Sequence, residues 1–303
     1  MVRFRHILAT IDTRFDDESV FQEACRLAQV AEAQLTLVDV VPEFGWPARW
    51  MGVDVQSIRM EIEQHKRSRL EQLAQTAKSS GLDVTWKVLS GKTSQAIIRE
   101  VESSGVDLVI RAAKGKTSRR LGNVGTTAVQ LLRHCPSCVW LVRGSVLPAR
   151  PVIVGTVDAS VHDEPHRKLN LRVLEVTTEL ARIYGADWHV VYSWMIFGEN
   201  VLRERLSDEE WQQLVQANKA EHEGLLMRVL EEAGLADQRE RAHAVHGDAY
   251  VAVPDFLKKQ NANLVVIGTV ARTGVAAFLI GNTAEQVMER SHCSILVVKL
   301  QQT

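Results

Sequence analysis

The chain is written twice. From the third expected strand onward the second half lies on the first without a gap. Gly91 falls on Gly247, Gly105 near Asn261, Gly125 on Gly281, Gln130 on Gln286, and 139–143 on 295–299. Asp12 falls on Asp158 once the second half is given extra residues, which include 160–167. A tandem duplication of a unit of roughly 150 residues restricts the fold sharply. Each half must close its own core, and the order of elements in one half must be the order in the other.

That order alternates strand and helix. In the first half, 7–11 is a short apolar strand ending at Asp12. Residues 16–33 read as an amphipathic helix with Val20, Ala24, Leu27 and Val30 on one face. Strands at 35–41, 84–89, 107–110 and 138–142 and helices at 56–80, 93–104 and 125–134 complete the unit. After a linker at 144–150 the series recurs: strands at 152–157, 188–194, 239–245, 264–267 and 294–298, and helices at 168–184, 207–233 and 281–291. Ser207 with Glu210 three residues on is a capping-box pattern, and Pro254 is expected in the first turn of the helix before 264–267. Strand–helix alternation implies parallel sheets with right-handed crossovers. The expectation is α/β: two tandem doubly wound five-stranded parallel sheets, as domains 1–146 and 151–303. They are expected to pack as a pseudo-dimer, because the last strand of each half is otherwise a bare sheet edge.

Composition narrows the class of partner. With 46% hydrophobic and 24% charged residues and a net charge of −1, the chain has the make-up of a soluble globular protein and no bulk attraction to nucleic acid or anionic membrane. No apolar run is long enough to span a membrane, the first ten residues lack a signal-peptide core, and the four cysteines suit a reducing cytoplasm. Cys135 and Cys138 have C-x-x-C spacing but no second pair, so they are expected to be reduced, buried and free of metal.

One stretch points to a ligand. The apolar strand 264–267 stops at Gly268, a loop follows, and Gly281-Asn282-Thr283 opens a helix. Glycines admit a ligand close to the backbone, and the free N–H groups of a helix start favour an anion. In a doubly wound sheet, ligands lie beyond the carboxyl ends of the strands at the switch point, which brings Asp158 to the same crevice. Other constellations are weaker. No G-x-S-x-G nucleophile elbow occurs, and neither Asp12 nor Asp158 has a His or Lys at a fixed spacing. His162-Asp-Glu-Pro-His166 reads as a solvated loop. His243 and His246, three apart on a strand, point to opposite faces. Trp46, Trp50, Met51, Trp194, Met195 and Phe197 follow the second strand of each half and suit an apolar lining or cover. No catalytic residue and no metal ligand is assigned.

On these residues both halves together resemble the universal stress protein family, in its tandem, UspE-like form. The resemblance covers nearly the whole chain and is carried by Val154-Gly-Thr-Val-Asp158, by 265–286 and by His134-Cys-Pro-Ser-Cys-Val-Trp-Leu-Val142. It implies Rossmann-like domains. Members that bind ATP carry G-x2-G-x9-G-[S/T]. Here Gly268 and Gly281 match the first and last glycines, Ala271 replaces the second, and Asn282 takes the Ser/Thr position, followed by Thr283. By resemblance Asp158 faces adenosine and the 281–283 backbone holds phosphate, ATP is the candidate cofactor, and nucleotide-bound Mg the only metal. In the first half Arg111 stands where Gly268 stands and Lys114 where Ala271 stands, and one more residue separates Arg111 from Gly125. At most one nucleotide-type site is therefore expected, in the second domain. The implied function is a cytoplasmic stress-response protein that senses or carries a small ligand and is not an enzyme. The alternatives are an ATP binder with slow hydrolysis, or a carrier of an apolar ligand between the two domains. Further dimerisation is left open.

Overall fold

A computed structural model describes residues 4–15, 18–42, 55–115, 124–269 and 281–300. The chain passes from one compact unit to the other at Val146–Leu147.

The first unit runs β1 (His6–Thr10), α1 (Ser19–Ala31), β2 (Gln34–Val41), α2 (Val55–Ser79), β3 (Val84–Ser90), α3 (Thr93–Ser104), β4 (Leu108–Ala112), α4 (Thr126–His134) and β5 (Cys138–Val142). Its strands lie in the order β3-β2-β1-β4-β5, every neighbouring pair parallel. Helices cover such a sheet on both faces, so its strands are apolar throughout rather than alternating. Ile7, Leu8, Leu35, Leu37, Leu108, Ile110 and Trp140 are fully enclosed. The chain leaves β1 towards β2 on one side and returns from β3 to β4 on the other. The carboxyl ends of β1 and β4 therefore splay apart, and a crevice is left there.

The second unit repeats the plan with β6 (Val152–Thr156), α5 (Glu164–Tyr184), β7 (Asp187–Trp194), α6 (Glu199–Arg205), α7 (Asp208–Glu232), β8 (Ala242–His246), α8 (Ala249–Lys259), β9 (Leu264–Thr269), α9 (Asn282–Arg290) and β10 (Ser294–Lys299). Its strand order is β8-β7-β6-β9-β10, again parallel at each pair. The duplication is visible in the backbone itself. Gly91 and Gly247 have φ of 116° and 129°, and Gly105 and Asn261 share the left-handed region at 62° and 51°. Asn is among the few side chains that tolerate that region.

Four local expectations need correction. Val30 is 52% exposed, and Phe21 and Ala28 take its place in the core. Ten residues beyond Val20, at about 100° per residue, Val30 falls roughly 80° off the buried face. Residues 160–167 are not all loop. Asp163 caps α5, accepting from the His166 N–H at 2.9 Å and facing His166 Nδ1 at 2.7 Å, with Pro165 in the first turn. Pro254 is inside α8 rather than in its first turn, because the helix starts at Ala249. Lacking an N–H, it leaves the Tyr250 carbonyl unpaired within the helix. Arg290 Nη1 donates to that carbonyl at 3.3 Å, with its guanidinium 4.9 Å over the Tyr250 ring. Finally, the short helix α6 has no counterpart in the expected plan. The capping box at Ser207–Glu210 is present as expected.

Of the aromatic segments, Trp46, Trp50 and Met51 lie outside the described residues. Trp194 is buried between the rings of His222 and His246, at centroid distances of 5.0 and 4.5 Å. Phe197 is fully exposed, at 100%. His243 packs instead on His189 and Phe256, so the two histidines of β8 do face opposite ways.

Candidate functional site

The crevice of the first unit opens into a cavity of about 800 Å³. Its floor is the carboxyl ends of β1, β2 and β4, through Thr10–Arg14, Asp39, Val40, Arg111 and Ala112. One wall comes from α2 through Ile62, His65 and Lys66, and another from α3 through Thr93 and Ile97. Gly125, Thr126 and Thr127, at the start of α4, close the third side. The cavity is thus built from strand ends, a helix N-terminus and apolar side chains, the usual composition of a small-molecule site.

Its charges are largely paired inside the protein. Lys66 Nζ lies 2.5 Å from Asp39 Oδ2, with side-chain exposures of only 5% and 10%. Asp39 also accepts from Thr13 N–H at 3.0 Å, Thr13 Oγ1 at 2.7 Å and its neighbour Val40 N–H at 2.6 Å. Arg14 grips Asp12 with a fork, Nε at 2.7 Å and Nη2 at 2.6 Å. Burial pushes the Asp12 carboxyl up, but the Arg14 hydrogen bonds and charge outweigh it and hold the group below its ordinary value. Arg111 is different. Its Nε donates to the Ala112 carbonyl at 3.2 Å, and among the described residues its terminal nitrogens have no acceptor. Burial lowers its pKa to about 10, with the charge of Asp12 opposing. It remains a cation at neutral pH.

The sheet register corrects the expected place of Arg111. Arg111 pairs with Leu141 and Ala112 with Val142, whereas Ile267 pairs with Val297 and Gly268 with Val298. Arg111 therefore corresponds to Ile267, and Ala112 to Gly268. The loop from Ala112 to Gly125 is no longer than that from Gly268 to Gly281. Successive strand residues face opposite ways. The Arg111 side chain consequently does not occupy the place expected for phosphate approach in the second half.

In the second unit, Asp158 follows the Thr156–Ile267 pair at the end of β6, and Gly268 follows it on β9. Asp158 Oδ1 accepts from Ser160 N–H at 3.1 Å and Ser160 Oγ at 2.6 Å. Its backbone is clasped by Asn170, with N–H to Oδ1 at 3.0 Å and Nδ2 to the carbonyl at 2.7 Å. Gly268 touches Leu169 of α5, and a Cβ there would sit 2.6 Å from Leu169 Cγ. Gly281 is the N-cap of α9, open to solvent, with Asn282 and Thr283 exposed in the first turn. Ala271 lies outside the described residues. Where the first half links its second strand to the long helix through Asp39 and Lys66, the second uses Tyr192 Oη and His222 Nδ1 at 2.9 Å.

The cysteines are thiols, with Cys135 and Cys138 buried at the end of α4 and the start of β5. Burial raises the Cys25 thiol to about 12. Among the described residues no group of three or more His, Cys, Asp or Glu is gathered for a metal ion, and no helix is long and apolar enough to cross a membrane.

The model of the universal stress protein family matches this chain twice, over residues 3–143 and 166–299. Universal stress protein E of Photorhabdus laumondii is 26% identical over 306 residues, covering 99% of this chain and 96% of the relative. Universal stress protein E of Escherichia coli K12 is 26% identical over 303 residues, covering 99% and 95%. A solved protein of unknown function from Pseudomonas aeruginosa PAO1 superposes with a TM-score of 0.74 at 25% identity, covering 98% of this chain and 93% of that one. A universal stress protein from Archaeoglobus fulgidus shares the fold, with a TM-score of 0.65 at 15% identity, over 99% and 100% of the two chains.

Proposed function

The chain belongs to the universal stress protein family, as a tandem of two family domains, and on that premise we propose that it is a stress-response protein that holds a small organic ligand in its first half. The observation that carries this reading is the cavity of about 800 Å³ at the β1/β4 switch point. That volume is enough for a drug-sized molecule. The contents point to binding rather than turnover. Asp12 and Asp39, the carboxylates on the floor, are held by Arg14 and Lys66 and are not poised as bases. Thr93 belongs to the α3 wall of the cavity and is part-exposed. Thr93→Trp, checked for folding by circular dichroism, narrows the cavity without cutting the core. Mass analysis of small molecules released on denaturation should find a ligand in the wild type and much less in the variant. Equal release from both would place the ligand elsewhere.

A second reading keeps the nucleotide in the second half, on Asp158, Gly268, Ala271, Gly281, Asn282 and Thr283, with ATP bearing its own Mg. The open N-terminus of α9 favours it. Leu169 against Gly268 counts against a close phosphate approach there. Calorimetric titration with ATP and magnesium tests it: Gly281→Glu, which sets a carboxylate at the helix start, should abolish binding. Retained binding in that variant would remove α9 from the site.

A further inference from the structure

We propose that the first-half cavity selects ligands that end in an oxyanion, a carboxylate or a phosphate monoester on an apolar body, that Arg111 is the residue that anchors this end, and that no divalent cation takes part. This rests on the reading of that cavity as the ligand site. Arg111 lies at the carboxyl end of β4, on the cavity floor, and uses Nε on the Ala112 carbonyl. Its two terminal nitrogens form a planar fork without an acceptor among the described residues. Arg111 is part-buried, with these donors unused by the described residues, and a carboxylate or phosphate matches its fork with two parallel hydrogen bonds. The three other lysines and arginines of the lining are engaged, Arg14 with Asp12, Lys66 with Asp39, and Lys114 with a partner of its own. The first turn of α4 meets the same space through Thr126 and Thr127, and its free N–H groups favour the same charge. The lining also carries the apolar side chains Ile11, Val20, Val38, Val40, Ile62 and Ile97, beside polar ones such as Ser19, Glu61 and His65.

A metal-bound polyphosphate fits less well. The carboxylates that would help hold a cation, Asp12 and Asp39, already carry an arginine and a lysine. Arg111 supplies one fixed positive charge, which balances one terminal oxyanion and does the work a cation would do.

The test uses the full chain and four probes of one chain length: octanoate, octyl phosphate, octanol and octylammonium, titrated calorimetrically with and without EDTA. Octanoate or octyl phosphate, or both, should bind at least about tenfold more tightly than octanol, and octylammonium more weakly still. EDTA should change nothing. Arg111→Gln should bring the acids down to the affinity of octanol while leaving octanol unchanged, and Arg111→Lys should retain part of the preference. Equal binding of acids and alcohol by the wild type overturns the proposal without any variant, as does loss of acid binding in EDTA or an intact preference in a folded Arg111→Gln. If none of the four probes binds, the cavity is not the ligand site, and the reading beneath the proposal falls with it.

Discussion

Lys66 and Asp39 show how much a single buried pair can govern. Asp39 receives four donors, and Lys66 is one of them. Removing one member of such a pair leaves the other charged and enclosed. Lys66→Met should therefore destabilise the protein by about 3–5 kcal/mol, read from urea unfolding. A loss below about 1 kcal/mol would mean that water reaches the carboxylate. At the other end of the chain, His189 Nδ1 and His243 Nε2 lie 3.1 Å apart. Burial lowers both pKa values below the ordinary 6.5; His243 also feels His189 and Lys259, while Asp187 pulls His189 up and Arg241 pushes it down. The unfolded chain then binds protons that the folded form refuses. The contribution of these groups is full above about pH 6.5 and is lost as pH falls through the folded values. Between about pH 7 and 5 the urea midpoint of the wild type should fall more steeply than that of His243→Gln. Identical slopes would contradict the shift.

Helix α5 shows what two glycines do for an element. A Cβ at Gly155 would lie 2.6 Å from Thr177 Oγ1, and one at Gly268 equally close to Leu169 Cγ. Both glycines let α5 lie close against β6 and β9, and the corresponding strand positions in the first half are Ala9 and Ala112. Gly268→Ala should accordingly cost about 1–3 kcal/mol by overpacking. Adding Leu169→Ala should give less destabilisation than the sum of the two single changes, because the second change vacates the space the first needs. Strict additivity would show that Leu169 is not what Gly268 accommodates. In the sequence Gly268 reads as a ligand-approach glycine, because the side chain it faces belongs to a helix far back in the chain. The capping box of α7 was legible, since both partners lie within one turn. The place of Pro254 was not, because it depends on where α8 begins.

At the scale of the whole molecule the duplication was legible because glycines and Asn261 mark equivalent turns, and with it the doubly wound parallel sheet of each half. Position along β4 was legible as well: the gap-free overlay that sets Gly125 on Gly281 sets Ala112 on Gly268 and Arg111 on Ile267, so placing Arg111 on Gly268 departs from it by one residue, and the hydrogen-bonded pairing restores it. One residue decides whether Arg111 fills a phosphate path or borders a cavity. The cavity itself was invisible in the sequence, since its volume depends on where α2 and α3 rest over the strand ends. Isoleucine methyl groups report directly on its occupancy. Ile11, Ile62 and Ile97 line the cavity, whereas Ile153, Ile267 and Ile295 lie in the strands of the second half. In methyl-labelled full-length protein titrated with octanoate, the NMR shifts should concentrate at Ile11, Ile62 and Ile97. Shifts confined to Ile153, Ile267 and Ile295, with the first three unmoved, would mean that the ligand binds the second half and leaves the first-half cavity empty.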